Sequence, residues 1–522
     1  MSPFETQKHA IPFRWLNALM LSCLTVSLVF FWQGHIGFNL WDEGFLWYGV
    51  QRVLNEEIPI RDFMAYDPGR YYWSAALATI IGDGGIISVR VAVAVFQALG
   101  LFIGLMLITQ SSKNRTWNEP LFLAIAAITL GVWMFPRHKL FDISLSMLLV
   151  GALAFLIRNP TPQRYLAAGI AVGLAAFFGR NHGVYGAIGS FGVLLWLGVR
   201  PRSGIVKGAF FWTVGVAIGF LPIILMLLLV PSFPLAYLES IRFLFKQNAT
   251  NLPLPVPWPW TVDFMTSSIS DAIRAFLVGL FFIAVLAFGW LVSLWALAQR
   301  LKGRSVSPTL VAAAFLAIPY AHYAFSRADV GHLAQGIFPM LVGCFAIFAT
   351  LGLRAKWGLS MFLCSTSLWV MSVQHPGWQC MVSGGCVNVT VAGSVLQVDP
   401  ATANDIALLR SLSDQFATGG KGFVATPFWP GAYALLNQKS PMWEIYALFP
   451  RQENFERTEI DRIKASSPGF VLVLNLPLDG REELRFQNTH PLTYKFISDN
   501  FERVPSQSPP DYEIYKAKGS NP

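Results

Sequence analysis

Two adjacent carboxylates, Asp42 and Glu43, hold the position in this chain that most suggests chemistry. They open a segment in which five apolar residues recur at helical spacing: Phe45, Leu46, Val50, Val53 and Leu54. An acidic pair in a first turn also complements the helix dipole, which contributes about 0.3–1 kcal/mol, and this alone would explain it. A carboxylate can act as a general base toward a hydroxyl group. Metal binding has little support, because the sequence contains no His-Xaa-Xaa-Xaa-His motif or cysteine cluster, although the pair could hold a divalent cation, Mg²⁺ or Mn²⁺, together with a phosphate.

The residues after this pair favour a functional loop over simple capping. Arg61 and Arg70 follow within thirty residues, and Arg70 precedes the aromatic run Tyr71-Tyr72-Trp73. Arginine binds phosphate through charge-assisted hydrogen bonds. Because Trp41, Trp47 and Tyr48 flank the apolar spacing, we expect the helix to lie flat on the membrane surface.

Three other polar turns carry cations that could bind phosphate. Each of them alone is typical of a helix end, where Arg and Lys snorkel or cap. They contain Arg137 and Lys139 with Asp142, then Arg180 and His182, and finally Arg327 and His332. We favour Arg327 and His332 as donor contacts, because a tight turn between two apolar runs has little structural need for three ionisable groups.

The composition excludes a soluble globular protein. Of 522 residues, 54% are hydrophobic, 14% aromatic and only 13% charged, about half the charged content of soluble domains. The apolar residues form long runs rather than alternating short strands, which favours membrane helices over a barrel. No basic run with interleaved aromatics is present, so we expect no nucleic-acid partner.

Eleven apolar runs are long enough to suggest spans of about 20 residues. They lie near residues 15–35, 86–109, 118–135, 140–157, 165–179, 183–199, 208–230, 272–298, 308–325, 333–352 and 357–374. Alternate connections hold twelve Lys and Arg residues, and Lys8 and Arg14 at the start of the chain bring the total on this side to fourteen, which predicts that this side faces the cytoplasm. With an odd number of spans, the chain after residue 374 ends outside. A proline-rich connection, Pro253 to Trp260, is either a loop over a lipid-binding groove or a passive connector.

The C-terminal region, residues 375–522, has the composition of a separate α/β domain. It holds 13 Lys and Arg against 15 Asp and Glu, whereas residues 1–374 hold 25 against 14. We predict helices over residues 399–416 and 457–465, strands over 422–426 and 470–475, and a last edge strand over 511–516. Cys380 and Cys386 could form a disulfide on an oxidising side; the alternative is two free thiols. Cys23, Cys344 and Cys364 lie in apolar runs, as inert core residues do.

The first outer loop, residues 38–85, resembles membrane-embedded glycosyltransferases of the C-type (GT-C) fold. The resemblance covers an Asp-Glu pair after a first span, then Pro59-Ile60-Arg61-Asp62-Phe63 and Pro68-Gly69-Arg70-Tyr71-Tyr72-Trp73. This family includes the protein O-mannosyltransferases and the aminoarabinose transferases of lipid A. The resemblance implies that Asp42 is the catalytic base, that Arg70 contacts a lipid phosphate, and that a helical membrane domain, residues 1–374, precedes an outer domain. The Pro-Gly-Arg motif departs from the Pro-Pro or Lys-Pro patterns of those subfamilies.

The predicted activity is therefore transfer of a sugar from a polyprenyl phosphate to an acceptor hydroxyl on the outer face of the plasma membrane, the inner membrane of a bacterium. The acceptor is a glycan, a lipid or a protein. We expect Glu43 to assist Asp42 in positioning or protonation, and Tyr71 to contribute to substrate binding. The alternatives are a transporter or flippase of lipid-linked sugars, which would need ionisable residues deep within several spans, and an O-antigen ligase or polymerase, which would use a basic outer loop. A structural scaffold would leave the acidic loop unexplained.

Overall fold

The computed structural model describes residues 11–111, 119–199, 204–247, 251–505 and 512–519. The chain divides into two compact units. Unit 1 comprises residues 1–32, 93–234 and 244–375, and unit 2 comprises residues 33–92, 235–243 and 376–522. The first outer loop and the C-terminal region therefore belong to the same unit, although more than 280 positions of sequence separate them.

Unit 1 is built from helices, and each of the eleven apolar runs is helical. The helices are Ile11–Gln33, Ile86–Ser111, Glu119–Trp133, Leu140–Arg158, Pro162–Phe178, Arg180–Gly198, Ile205–Gly219, Leu221–Leu229, Ile269–Ala287, Ser293–Leu301, Pro308–Ser326, Val330–Gly336, Phe338–Phe348 and Leu353–Met371. A π-helical turn, Phe288–Val292, joins two of them. Ile86–Ser111 begins in unit 2.

The structure supports a multi-pass membrane protein. Within the described ranges, five helices are long and apolar enough to cross a membrane, or up to seven if two bent pairs each count as one span. These pairs are Ile205–Gly219 with Leu221–Leu229 and Val330–Gly336 with Phe338–Phe348. The number of eleven spans stays a prediction, because length and apolar content single out fewer helices.

The helices of unit 1 differ in how far protein encloses them. In the candidate membrane span Arg137–Arg158, 78% of the most apolar 18 residues are buried inside the protein, and in Pro308–Ser326 this share is 72%. In the first candidate span, Arg14–Gln33, it is only 17%. Arg137–Arg158 and Pro308–Ser326 therefore form the centre of this unit. The first helix leaves Cys23 exposed, so the expectation of a core position for this cysteine was wrong. Cys364 is buried, and Cys344 is half-buried.

Unit 2 contains the helices of the first outer loop and a small α/β layer. The loop forms the helices Asp42–Leu54 and Gly69–Ile81. The helix Phe233–Gln247 contributes residues 235–243, so the long connection between two apolar runs is partly helical. The C-terminal region adds the helices Gln379–Val382, Pro400–Phe416, Pro430–Leu435, Glu453–Ser466, Phe486–Thr489 and Pro491–Asn500.

The described residues of unit 2 include six strands. β1 (Val387–Val391) and β2 (Ser394–Val398) form an antiparallel hairpin. β3 (Phe423–Thr426), β4 (Phe470–Leu474), β5 (Phe501–Arg503) and β6 (Tyr512–Ala517) form a sheet in the order β3-β4-β6-β5, in which β3 and β4 are parallel. β6 therefore lies inside the sheet, and the prediction of an edge strand was wrong, because β5 pairs with its free side.

The core of the sheet layer explains why this region folds as predicted. β3 and β4 are buried along their whole length, which agrees with their continuous apolar sequence. Val424, Val471, Ile463 and Ile497 meet between sheet and helices. The structure also contains the Cys380–Cys386 disulfide, as one of the two alternatives predicted.

Candidate active site

The helix Asp42–Leu54, here called the loop helix, begins at a turn built by Asn39. The Asn39 side-chain oxygen accepts hydrogen bonds from the backbone N–H groups of Trp41, at 2.8 Å, and Asp42, at 2.9 Å. A side-chain acceptor at a helix start satisfies donors that have no partner within the helix. The Asp42 carboxylate is thereby fixed in the first turn, as the sequence predicted.

Glu43 is occupied by a buried ion pair. Arg90 donates from Nε to Glu43 Oε1 at 2.8 Å and from Nη2 to Oε2 at 2.9 Å. The same guanidinium donates to the carbonyls of Gly34 and Gly37, at 2.7 and 2.6 Å. Both side chains are less than one-tenth exposed. The two adjacent acids therefore differ in environment: Glu43 is buried and neutralised, whereas Asp42 is half-buried.

The ion pair between Glu43 and Arg90 disfavours a metal ion shared by Asp42 and Glu43. Both oxygens of Glu43 are engaged by Arg90, so the pair does not offer the two carboxylates that a shared divalent ion would use. In the parts of the chain that the structure describes, no group of three or more His, Cys, Asp or Glu side chains could hold a metal ion.

A tyrosine from the C-terminal region reaches Asp42. The Tyr446 hydroxyl donates a hydrogen bond to Asp42 Oδ1 at 3.3 Å. Its ring lies 5.6 Å from the ring of Phe45 on the loop helix. Phe45 in turn makes an edge contact with Tyr66 at 4.8 Å, and Arg70 lies over the Tyr66 ring at 4.8 Å. An aromatic cluster of Phe45, Tyr66 and Tyr446 therefore links the Asp42 carboxylate to the Arg70 guanidinium within unit 2.

Tyr71 is a core residue next to this cluster. Its side chain is fully buried, and its hydroxyl accepts a hydrogen bond from the backbone N–H of Tyr66 at 3.0 Å. Its ring packs so closely on the loop helix that a Cβ at Gly49 would come within 2.2 Å of it. Burial raises the pKa of Tyr71 above the ordinary value of a phenol.

The loop helix is enclosed by the C-terminal region. Nine of its thirteen residues are buried, and a Cβ at Gly44 would lie 2.5 Å from the backbone of Gly431. This close approach requires glycine at both positions. The prediction of a helix is confirmed. Of its apolar side, Phe45, Leu46 and Val50 are buried in protein and so do not rest on a membrane, whereas Val53 is half-buried and Leu54 is exposed.

Unit 1 holds a second cluster, which joins two of the predicted turns. His182 Nε2 lies 3.0 Å from Asp142 Oδ1, and each side chain is 2% exposed. His182 Nδ1 lies 2.8 Å from the Tyr320 hydroxyl. Tyr323 donates to Gln335 at 2.7 Å and lies 3.4 Å from Asp142.

The third predicted turn adjoins this cluster through His332, whose ring lies 6.0 Å from that of Tyr323. Asp329 caps the helix Val330–Gly336 by accepting from the His332 backbone N–H at 2.8 Å. Its carboxylate also contacts Arg327 Nε at 2.9 Å and His332 Nδ1 at 2.9 Å. Asp329 therefore pairs with both of the other ionisable groups of this turn, Arg327 and His332.

The remaining predicted residues take these positions. Arg137 and Lys139 form a half-buried 3₁₀ turn directly before the helix Leu140–Arg158, and Arg180 opens the helix Arg180–Gly198. Unit 1 therefore contains Arg137, Lys139, Arg180, His182, Arg327 and His332, and unit 2 contains Asp42, Glu43, Arg70 and Tyr71.

Two residues of the site, Arg90 and Tyr446, were not predicted from the sequence. Arg90 lies in an apolar helix, and a lone arginine in such a run requires a partner, which was a usable signal. Tyr446 lies in an irregular segment without periodicity, and no sequence signal pointed to it.

Comparison with solved structures identifies the fold. The structure of ArnT from Cupriavidus metallidurans bound to undecaprenyl phosphate superimposes with a TM-score of 0.57 at 12% identity, over 96% of this chain and 98% of that chain. Its apo form gives a TM-score of 0.53 at 12% identity, over 97% and 98%. The Archaeoglobus fulgidus oligosaccharyltransferase gives 0.45 at 11% identity, over 94% and 73%. No protein-family model and no curated protein matches the chain. On the two ArnT structures, the chain has the GT-C fold.

Proposed function

We propose that this protein is an integral membrane glycosyltransferase that moves a sugar from a polyprenyl phosphate to an acceptor hydroxyl. The observation that carries the proposal is a half-buried carboxylate, Asp42, at the start of the loop helix in a chain that shares its fold with ArnT over nearly its whole length. ArnT is a lipid A aminoarabinose transferase, and its structure holds undecaprenyl phosphate.

The chemistry of this reaction needs one base and several cations. A phosphate leaving group is stable as an anion and requires no acid, but nearby cations stabilise the charge that develops on it. The acceptor hydroxyl requires a base, and one carboxylate is sufficient, unlike the carboxylate pair of glycoside hydrolysis. Direct attack by the hydroxyl inverts the anomeric carbon.

We assign the base to Asp42, because Glu43 is held by Arg90 and acts by fixing the helix start. Phosphate binding is assigned to Arg70, Arg327 and His332. Arg137, Lys139, Arg180 and His182 are secondary candidates for donor contacts. Tyr71 holds the backbone of Tyr66, over whose ring Arg70 lies.

The proposed location is the plasma membrane, with the C-terminal region on the outer side. The excess of basic residues on alternate connections supports this orientation. The Cys380–Cys386 disulfide also supports it, since disulfides persist in oxidising compartments. We propose a glycan, a lipid or a protein as the acceptor.

The test is transfer by the purified protein. A panel of polyprenyl phosphates carrying different radiolabelled sugars is incubated with the protein and a membrane lipid extract, and the labelled product is identified. We expect one donor to label a product with wild-type protein and not with Asp42→Asn. If every donor is inert, or if Asp42→Asn matches the wild type, the proposal is wrong.

One observation favours a second candidate, a transporter or flippase of lipid-linked sugars. Asp142 and His182 form a buried ionisable pair in unit 1, and such pairs inside apolar helices occur in transport pathways. Flux of a labelled lipid-linked sugar across liposomes without an acceptor tests this candidate. Flux without transfer would favour the transporter, and transfer without flux would favour the enzyme.

A further inference from the structure

The hydroxyl of Tyr446, a residue of the C-terminal region, donates a hydrogen bond to the Asp42 carboxylate. Its hydroxyl lies 3.3 Å from Asp42 Oδ1, and its side chain is 8% exposed. The tilted contact with the ring of Phe45, at 5.6 Å, restricts the rotation of the tyrosine ring. The hydroxyl is therefore held at the carboxylate by packing as well as by the hydrogen bond itself.

The segment that carries Tyr446 is fixed to the first outer loop at several other points. The Ser440 backbone N–H donates to the Tyr48 hydroxyl at 3.0 Å. Trp443 donates from its indole N–H to the Ile60 carbonyl at 3.0 Å and accepts from the Met64 N–H at 2.9 Å. These bonds hold the segment in place without the Tyr446 hydroxyl.

A buried ionic anchor holds the other side of the segment. The Glu444 carboxylate lies 3.0 Å from His490 Nε2 and 2.5 Å from Arg451 Nε. Glu444 and His490 are each 2% exposed. The Arg451 guanidinium also lies over the ring of Phe243, at 3.5 Å. With anchors on both sides, the segment between residues 440 and 451 presents Tyr446 as a rigid element.

We propose that Tyr446 is a positioning residue for the catalytic base, so that the C-terminal region completes the reaction centre of the first outer loop. The inference rests on the proposed function, because it takes Asp42 as the base. A phenol donates to an ionised carboxylate and retains its own proton, so Tyr446 orients the Asp42 carboxylate and takes no part in proton transfer. Preorganised bases of this kind lower the cost of reaching the reactive geometry.

The experiment compares Tyr446→Phe with a matched control. Tyr446→Phe removes the hydroxyl and keeps the ring against Phe45. Because the bond of 3.3 Å is longer than a strong charge-assisted hydrogen bond, kcat should fall by roughly 3- to 10-fold, while KM for the donor stays within about twofold. The control, Tyr515→Phe, removes a buried hydroxyl that donates to Glu513 at 2.7 Å inside the C-terminal region, and it should keep the wild-type kcat. An unchanged kcat for Tyr446→Phe, or a rise in KM alone, would overturn the proposal, as would an equal loss in the control.

A second measurement does not depend on activity. The melting temperatures of Tyr446→Phe, Asp42→Ala and the double variant form a cycle that reports coupling between the two side chains. We expect the two single shifts not to add, because either change removes the same hydrogen bond. Additive shifts would overturn the proposed contact. If the wild type transfers no sugar although the cycle shows coupling, the proposed function fails and the positioning role fails with it, but the contact stands.

Discussion

Arg90 and Glu43, 47 positions apart in the chain, form a buried ion pair in which the guanidinium contacts both carboxylate oxygens. The pair separates the roles of two adjacent acids. Glu43 fixes the start of the loop helix to the helix Ile86–Ser111, and Asp42 alone keeps a half-buried carboxylate beside Tyr446. An acidic pair in sequence therefore becomes one structural acid and one candidate base.

Glu43→Gln should destabilise the protein. The change leaves the charge of Arg90 buried without its counter-ion, and breaking such a pair costs about 3–5 kcal/mol. We expect a melting temperature several degrees below that of the wild type in detergent. The matched control is Glu453→Gln, which removes one partner of an exposed pair with Arg457 and should have little effect. Equal melting temperatures for the two variants would contradict a structural role for Glu43.

Asp42→Asn should remove the base and leave the fold intact. The amide keeps the size of the side chain but cannot take a proton, so kcat should fall by roughly 10²- to 10⁴-fold. The melting temperature should stay close to that of the wild type, because Asp42 is half-buried and the amide oxygen still accepts from Tyr446. The control is Asp62→Asn in the same loop, whose carboxylate pairs with Arg61; a similar loss of kcat there would mean that the effect is not specific to Asp42.

The sequence predicted the parts of this structure that depend on local periodicity. The eleven apolar runs are helical because each can satisfy its backbone groups internally. The strands Phe423–Thr426 and Phe470–Leu474 were recognised because they are short, apolar and bounded by turns. The loop helix was found from its apolar spacing, and its acids lie in the first turn as predicted.

Features that depend on distant parts of the chain were not predicted. Tyr446 and Asp42 are 404 positions apart, and the segment around Tyr446 has neither helical nor strand periodicity. The position of β6 inside the sheet depends on its pairing with both β4 and β5. The loop helix was expected on a membrane because its sequence does not show that the C-terminal region covers it. In each case the missing information is a tertiary contact.

Arg327→Gln should weaken binding of the lipid phosphate. A charge-assisted hydrogen bond from arginine to phosphate contributes about 1.5–3 kcal/mol, so the Kd for undecaprenyl phosphate should rise by roughly 10- to 100-fold. Arg274→Gln is a closely matched control: Arg274 is 23% exposed and pairs with Asp271 at 2.7 Å, and Arg327 is 21% exposed and pairs with Asp329 at 2.9 Å. Binding by fluorescence quenching in detergent measures both. An equal change in the two variants would assign the effect to general surface charge.

Asp405→Asn should stabilise the protein at neutral pH and lose this advantage in acid. Burial, together with the negative charge of Asp399, raises the pKa of Asp405 from 3.8 to about 6, against the opposing effect of a hydrogen bond with Tyr512. The folded state therefore binds this proton more tightly than the unfolded state, so stability falls as the pH rises from about 4 to about 6. The upper limit is about 3 kcal/mol, which solvent screening of this partly exposed side chain reduces. Melting curves recorded from pH 4.5 to 8 should give the variant a higher melting temperature than the wild type at pH 7.5. The two melting temperatures should converge toward pH 4.5. The control is Asp461→Asn, an exposed position paired with Lys464, whose melting temperature should follow that of the wild type at every pH. If the melting temperatures of Asp405→Asn and the wild type differ by the same amount at every pH, the folded protein does not hold this proton.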